Sequence, residues 1–297
     1  MQNKKMKPYK DLNLMDRFLF DNVVEDPIIC QDVLSICLGT EIPRIIKTEK
    51  EKTLEVSSVL RGIRLDIFSL DEENTVYNAE MQASNTHNLC KRSRYYQAHL
   101  DVSLLEPGEI NFNKLNDSYM VMITSFDLFG KNRYRYTFSY QCMEDPDILL
   151  QDGAVKIFLN TKGTNSDEVN PELISFLQYV QDSSQLPQQA EANERLQRIH
   201  AKVLKVKENE ELGVRYMQEW EERRLIEIES MQRGKEQGIK LGKEQGIELG
   251  KEQGIKILIQ DYLEDGKNKE QIVAKLIKHY ELSEEKAVEY FIKYGQQ

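Results

Sequence analysis

Along the first quarter of the chain the apolar residues keep helical time. Leu14, Phe18, Leu19, Val23, Val24, Ile28, Ile29, Val33, Leu34 and Leu38 recur at three- and four-residue steps between acidic positions, and Pro27 interrupts them. The pattern predicts two short helices ending near Gly39. From Lys52 to Gln82 the period drops to two, with Ile63, Leu65 and Ile67 alternating with Arg64, Asp66 and Phe68, so strands are expected over 53–58, 63–68 and 76–82. A polar segment, Asp71-Glu72-Glu73-Asn74, turns the chain between the last two. A helix over 91–105 follows, closed by Pro107-Gly108. Strand-like runs at 119–126 and 133–142 flank Phe129-Gly130-Lys131-Asn132, which reads as a hairpin loop. Residues 155–160 form a last strand, and Pro171 opens a helix to Val180. Helix, strands, helix, strands and helix describe a mixed α/β domain over residues 1–182.

Beyond a linker at 183–189, residues 190–232 are rich in Glu, Lys, Arg and Leu and read as an extended amphipathic helix of a tail that runs to 297. The tail then repeats itself: Gly234-Lys-Glu-Gln-Gly-Ile-Lys-Leu recurs with little change from Gly242 and Gly250, so over 234–257 the period is eight. In a helix, glycines four apart would drift by about 40° per step, and each would cost roughly 1 kcal/mol relative to alanine. Such a helix would gain most from close backbone packing against a partner; a flexible spacer is the other reading. Residues 268–294 suggest a helical hairpin, with Ser283 capping its second helix.

Two strands carry the chemistry. A five-residue connection, 71–75, sets Leu70 opposite Val76 and therefore Asp66 opposite Glu80, with Gln82 next along the same face; Leu65 and Ile67 share the other face. Facing carboxylates with Cβ atoms about 5 Å apart repel unless a cation lies between them. A divalent ion with a taste for oxygen, Mg²⁺ or Mn²⁺, answers that need and suits phosphoryl chemistry.

Composition narrows the options. The 297 residues are 40% hydrophobic and carry a formal charge of -10, which argues against a general nucleic-acid coat while leaving basic groups at Lys91, Arg92 and Arg94 and at Lys131, Arg133 and Arg135. No run of about 18 apolar residues or signal-peptide pattern is present, so a cytoplasmic protein without membrane contact is expected. Cys30, Cys37, Cys90 and Cys142 lack metal or disulfide spacing, the four histidines do not cluster, and no phosphate-binding glycine signature ends the repeat.

Several ordered blocks, Ile63-Arg64-Leu65-Asp66, Asn78-Ala79-Glu80-Met81-Gln82, Arg92-Ser93-Arg94-Tyr95-Tyr96-Gln97, Asp152-Gly153 and Ile157–Gly163, resemble the recombination-promoting nuclease and transposase family of the PD-(D/E)XK nuclease superfamily, over roughly residues 10–182. The resemblance implies a restriction-endonuclease-like core, a central mixed sheet flanked by helices with a C-terminal helical tail, and a metal-dependent DNA endonuclease linked to recombination or mobile DNA. Asp66 and Glu80 would then be catalytic metal ligands, and Gln82 would stand where the superfamily has lysine. Asp16 would be the first-helix acid, with Asp21 and Glu25 competing for that role. Arg92, Arg94 and Tyr96 match a basic and aromatic block suited to DNA phosphates. The tail would mediate self-association or DNA engagement. The alternative is a catalytically degenerate member that binds DNA or protein.

Overall fold

The structure, a computed structural model, describes residues 6–55 and 62–295. Part of the strand expected over 53–58 therefore lies outside the described residues. The chain forms two compact units, residues 1–219 and 220–297.

In the first unit a six-stranded mixed sheet has the order β1-β2-β3-β4-β6-β5. Its strands are β1 (Ile45–Leu54), β2 (Ile63–Asp71), β3 (Val76–Gln82), β4 (Ser118–Thr124), β5 (Arg135–Phe138) and β6 (Ala154–Asn160). The first three form an antiparallel meander, while β3, β4 and β6 run parallel and β5 returns antiparallel on the edge. Helices α1 (Arg17–Val24), α2 (Pro27–Leu38), α4 (Pro171–Gln181) and α5 (Glu194–Lys207) contribute to the core on one face; α3 (Leu89–Leu104) covers part of the other. The alternation of strand side chains divides the core accordingly. Tyr77, Ala79, Val121, Ile123, Ile157 and Leu159 pack with the four-helix side, whereas Val76, Met120, Met122 and Phe158 pack on the α3 side.

The local signals act as their chemistry dictates. Asp26 caps α2 through Ile28 N–H, Pro27 occupies its first turn, and Gly39 ends it at φ 75°, a left-handed conformation glycine adopts without penalty. The β2–β3 turn is organised by buried Asp71, which accepts hydrogen bonds from Glu73 N–H, Thr75 N–H and the Tyr77 hydroxyl.

Two expectations about the sheet change. The segments around 119–126 and 133–142 do not pair as a hairpin: β6 lies between β4 and β5. β4 is buried on both faces and accepts a parallel neighbour on each side, while β5, with no fully buried residue, suits only an edge. Nor do Leu65 and Ile67 share a face. Leu65 belongs to the α3-side cluster with Leu54, Ile63, Phe68, Val76 and Leu100, and Ile67 to the other. The strand changes phase at Asp66, opposite Glu51, whose φ of 53° marks the matching irregularity in β1.

From residue 190 the chain remains packed in the first unit: Ala190 and Leu196, Ile199, Val203 and Val206 of α5 bury in its main core. A break at Glu208-Asn209 precedes α6 (Glu210–Glu264), so the amphipathic stretch is two helices, and the glycine repeat is helical throughout. In the second unit Ile255 and Ile259 of α6 pack with α7 (Lys269–Tyr280) and α8 (Glu284–Tyr294). An Asn268–Gln271 capping box starts α7, and Ser283 caps α8 as its position suggests.

Candidate active site

The β2–β3 ladder runs in the anticipated register from Leu70 opposite Val76 to Ile67 opposite Ala79. One step further, side chains take over from the backbone ladder. Glu80 Oε1 accepts Asp66 N–H at 3.0 Å, and Asp66 Oδ2 accepts Met81 N–H at 3.1 Å. The phase change at Asp66 thus turns both carboxylates into the splayed end of the strand pair, where both are buried.

Helix α1 supplies the rest. Arg17, in its first turn, directs Nε to Asp66 Oδ1 at 2.7 Å and to Asp21 Oδ2 at 3.3 Å. Its Nη2 lies 3.6 Å from Glu51 Oε1, and Arg64 reaches the same Glu51 oxygen at 3.2 Å. Asp66, Asp21 and Glu51 therefore converge on one guanidinium, with Glu80 bonded to the backbone of Asp66.

This crowding sets the electrostatics. Burial pushes the Asp21 carboxyl up to about 8, with the charge of Asp66 adding to the rise and Arg17 opposing it. Glu80 rises for the same two reasons, burial first and Asp66 second. Asp66 is raised by burial against the pull of Arg17. Acids so placed need a proton or a further cation at neutral pH.

The expected residues separate. Asp16 sits at the start of α1 bonded to Lys7 Nζ and Asn13 N–H, both at 2.8 Å, and Glu25 is an exposed partner of Lys50. Asp21 is the first-helix acid that shares Arg17 with Asp66. Gln82 ends β3, partly exposed, two positions beyond Glu80. On α3, Arg92 stacks 5.6 Å from the centre of the Tyr96 ring and lies within electrostatic reach of Glu80 and Asp66. Its Nε and Nη2 are buried without a hydrogen-bond partner. Arg94 lines a separate cavity with Gln97 and Phe158.

The alternation of apolar and polar positions singles out neither Arg17 nor Glu51. The four-residue step from Arg17 to Asp21 is a legible sign of pairing on one helix face. Nothing along the chain marks Glu51, which reaches the site only through the β1–β2 register.

Among the described residues, no group of three or more His, Cys, Asp or Glu side chains is arranged to hold a metal ion. The donor chemistry nevertheless suits one. Asp21, Asp66 and Glu80 offer only oxygen, the preference of Mg²⁺ and Mn²⁺, and Asp21 Oδ1 is buried without a hydrogen-bond partner.

A six-stranded mixed sheet between helices, with an acid pair at the splayed β2–β3 end, is consistent with a PD-(D/E)XK fold. The chain belongs to the family described as PD-(D/E)XK nuclease family transposase, whose model matches residues 18–233. No curated protein and no solved structure gives a significant match. Among the described residues, no helix is long and apolar enough to cross a membrane.

Proposed function

We propose that this protein is a metal-dependent DNA endonuclease that hydrolyses phosphodiester bonds, with Asp66 and Glu80 as metal ligands and Asp21 as the acid contributed by the first helix. The observation that carries the reading is the exchange of carboxylate–amide bonds between Asp66 and Glu80 at the end of β2 and β3, on the chain of a family of nucleases and transposases. Asp66, Glu80 and Asp21 would hold Mg²⁺ or Mn²⁺. Such an ion, when bound, supplies Lewis acidity toward a phosphate oxygen and lowers the pKa of water.

The chain's own groups have distinct tasks. Backbone N–H groups of Asp66 and Met81 fix the rotamers of the two acids. Arg17 holds Asp66 and Asp21 together through Nε. Gln82 is neutral and positions a water or a phosphate oxygen by hydrogen bonding; it adds no charge. Arg92 brings two unpartnered donor nitrogens, buried beside Tyr96, and would suit a phosphate once the side chain turns outward.

The second reading, a non-catalytic member that binds DNA or protein, draws on two observations. Arg17 already neutralises Asp66, and no three-acid metal cluster is formed among the described residues.

Cleavage of supercoiled plasmid in Mg²⁺ or Mn²⁺ separates the two. Nicking or linearisation is expected for the wild type and is expected to fall by at least about a hundredfold in Asp66→Asn, Glu80→Gln and Asp21→Asn, the range for losing one electrostatic stabiliser. Asp16→Asn should retain activity within a few fold. Cleavage indifferent to Asp66 and Glu80 would remove the site assignment, and no cleavage by the wild type would favour the binding module.

A further inference from the structure

On the α3 face of the sheet, between one side of α3 and the edge strands β6 and β5, lies a cavity of about 540 Å³. Its position follows from register. Glu80 of β3 pairs with Met122 of β4, and Met122 with Phe158 of β6, so Glu80 and Phe158 stand in one cross-strand row. Two strand spacings separate them, about 10 Å. The cavity and the candidate active site are therefore neighbours on the same sheet face.

Its walls are aromatic. Phe129, Phe138 and Phe158 meet one another with ring centres 5.0 to 5.7 Å apart, and Phe138 keeps 43% of its surface exposed. The charge is balanced: Arg94 and Lys156 line the cavity together with Asp101 and Asp152. A phosphate gains little from such a mixture, whereas a flat neutral ring gains from the aromatic walls.

One polar group awaits a partner. Gln97, 7% exposed, lines the cavity and spends its amide hydrogens on Asp101 Oδ1 and Ser118 Oγ, both at 2.8 Å. Its Oε1 is buried with no hydrogen-bond partner. A buried acceptor without a donor is costly, and a turn of the Gln97 side chain on ligand entry would let a ligand N–H relieve it.

We propose that this cavity receives an unstacked DNA base, its ring against Phe138 and Phe158 and an exocyclic amino group donating to Gln97 Oε1. The inference rests on the DNA reading above and deepens it: the preferred substrate carries an unpaired or extruded nucleotide close to the scissile bond. The volume suits a nucleobase, since small-ligand sites span roughly 300–1,000 Å³.

Fluorescence anisotropy with the full-length protein in EDTA tests it, using short fluorescein-labelled duplexes that are fully paired, carry one unpaired adenine, or carry an abasic residue at the same place. Wild type should prefer the unpaired adenine by about tenfold, the scale of one base–aromatic stack. Phe138→Leu, which keeps bulk and loses the ring, should abolish the preference, and Phe138→Trp should restore it; circular dichroism verifies that each variant is folded. Equal affinity for the three duplexes, or a preference that survives Phe138→Leu, overturns the pocket. Absence of measurable binding overturns it as well, and plasmid cleavage by the same preparation then tells whether the nuclease reading falls with it.

Discussion

Asp21 shows how burial and charge act on a single residue. Its folded pKa of about 8 stands far above the ordinary aspartate value of 3.8, chiefly because it is desolvated and because Asp66 is beside it. An acid whose pKa is raised on folding binds more protons folded than unfolded. Its stabilising contribution is therefore complete below the unfolded value and lost as pH rises toward the folded one. In EDTA the melting temperature of the protein is expected to fall as pH climbs from about 4 to 8, with Asp21 contributing up to about 1.4 kcal/mol per pH unit. Asp21→Asn should flatten that fall, measured by thermal unfolding across the pH series. An unchanged slope would mean that Asp21 is ionised or solvated in the folded state. The spacing of Asp21 from Arg17 is readable along the chain. Its preference over Asp16 and Glu25 is not, because all three are acids of one segment and only the packed helix decides which of them turns toward β2.

At the scale of elements, the glycine repeat of α6 is the least expected. Gly238, Gly242 and Gly246 lie in an exposed helix, and a Cβ added at any of them would meet nothing within 4 Å. Gly254 differs, for a Cβ there would come within 2.5 Å of the Tyr280 hydroxyl in the second unit's core. Replacing Gly238, Gly242 and Gly246 together with alanine should stabilise the helix by about 1 kcal/mol per site. Stronger ellipticity at 222 nm and a higher melting temperature are the expected results; weaker ellipticity would contradict a helical repeat. Self-association through this tail remains our proposal, and loss of an oligomer in the same variant by sedimentation would identify these glycines as its contact face. The β2–β3 pair is more readable, because five residues and one buried aspartate set its register locally. The β4–β6 pairing is not, since β5 intervenes in sequence and must be carried past β6 in space.

The whole molecule raises the matter of where the unit that carries the candidate site ends. A division at residue 182 is suggested by the polar linker, but Leu196, Ile199 and Val203 of α5 are fully buried among residues of α1, α2 and α4. We propose that the unit continues through α5. Each such side chain contributes about 1.5–3 kcal/mol by burial, so removing α5 would cost most of a typical domain's stability. A fragment of residues 1–219 is expected to unfold cooperatively in urea, and one of residues 1–182 to lack a cooperative transition. Equal transitions in the two would return the boundary to 182.

Read by itself, the chain determined helices α1 to α4, strands β2, β3, β4 and β6, the turn at Asp71, the register that brings Asp66 toward Glu80, and the family resemblance carried by their motifs. These depend on side-chain periodicity and on pairing between neighbours in sequence, which local chemistry specifies. Tertiary structure decided the phase change at Asp66, the convergence of Arg17, Asp21 and Glu51 on the acid pair, the insertion of β6 beside β4, the burial of α5 and the aromatic cavity beside α3. Each of these turns on which distant surface covers an apolar face or neutralises a buried charge, and that choice is made only when the layers pack.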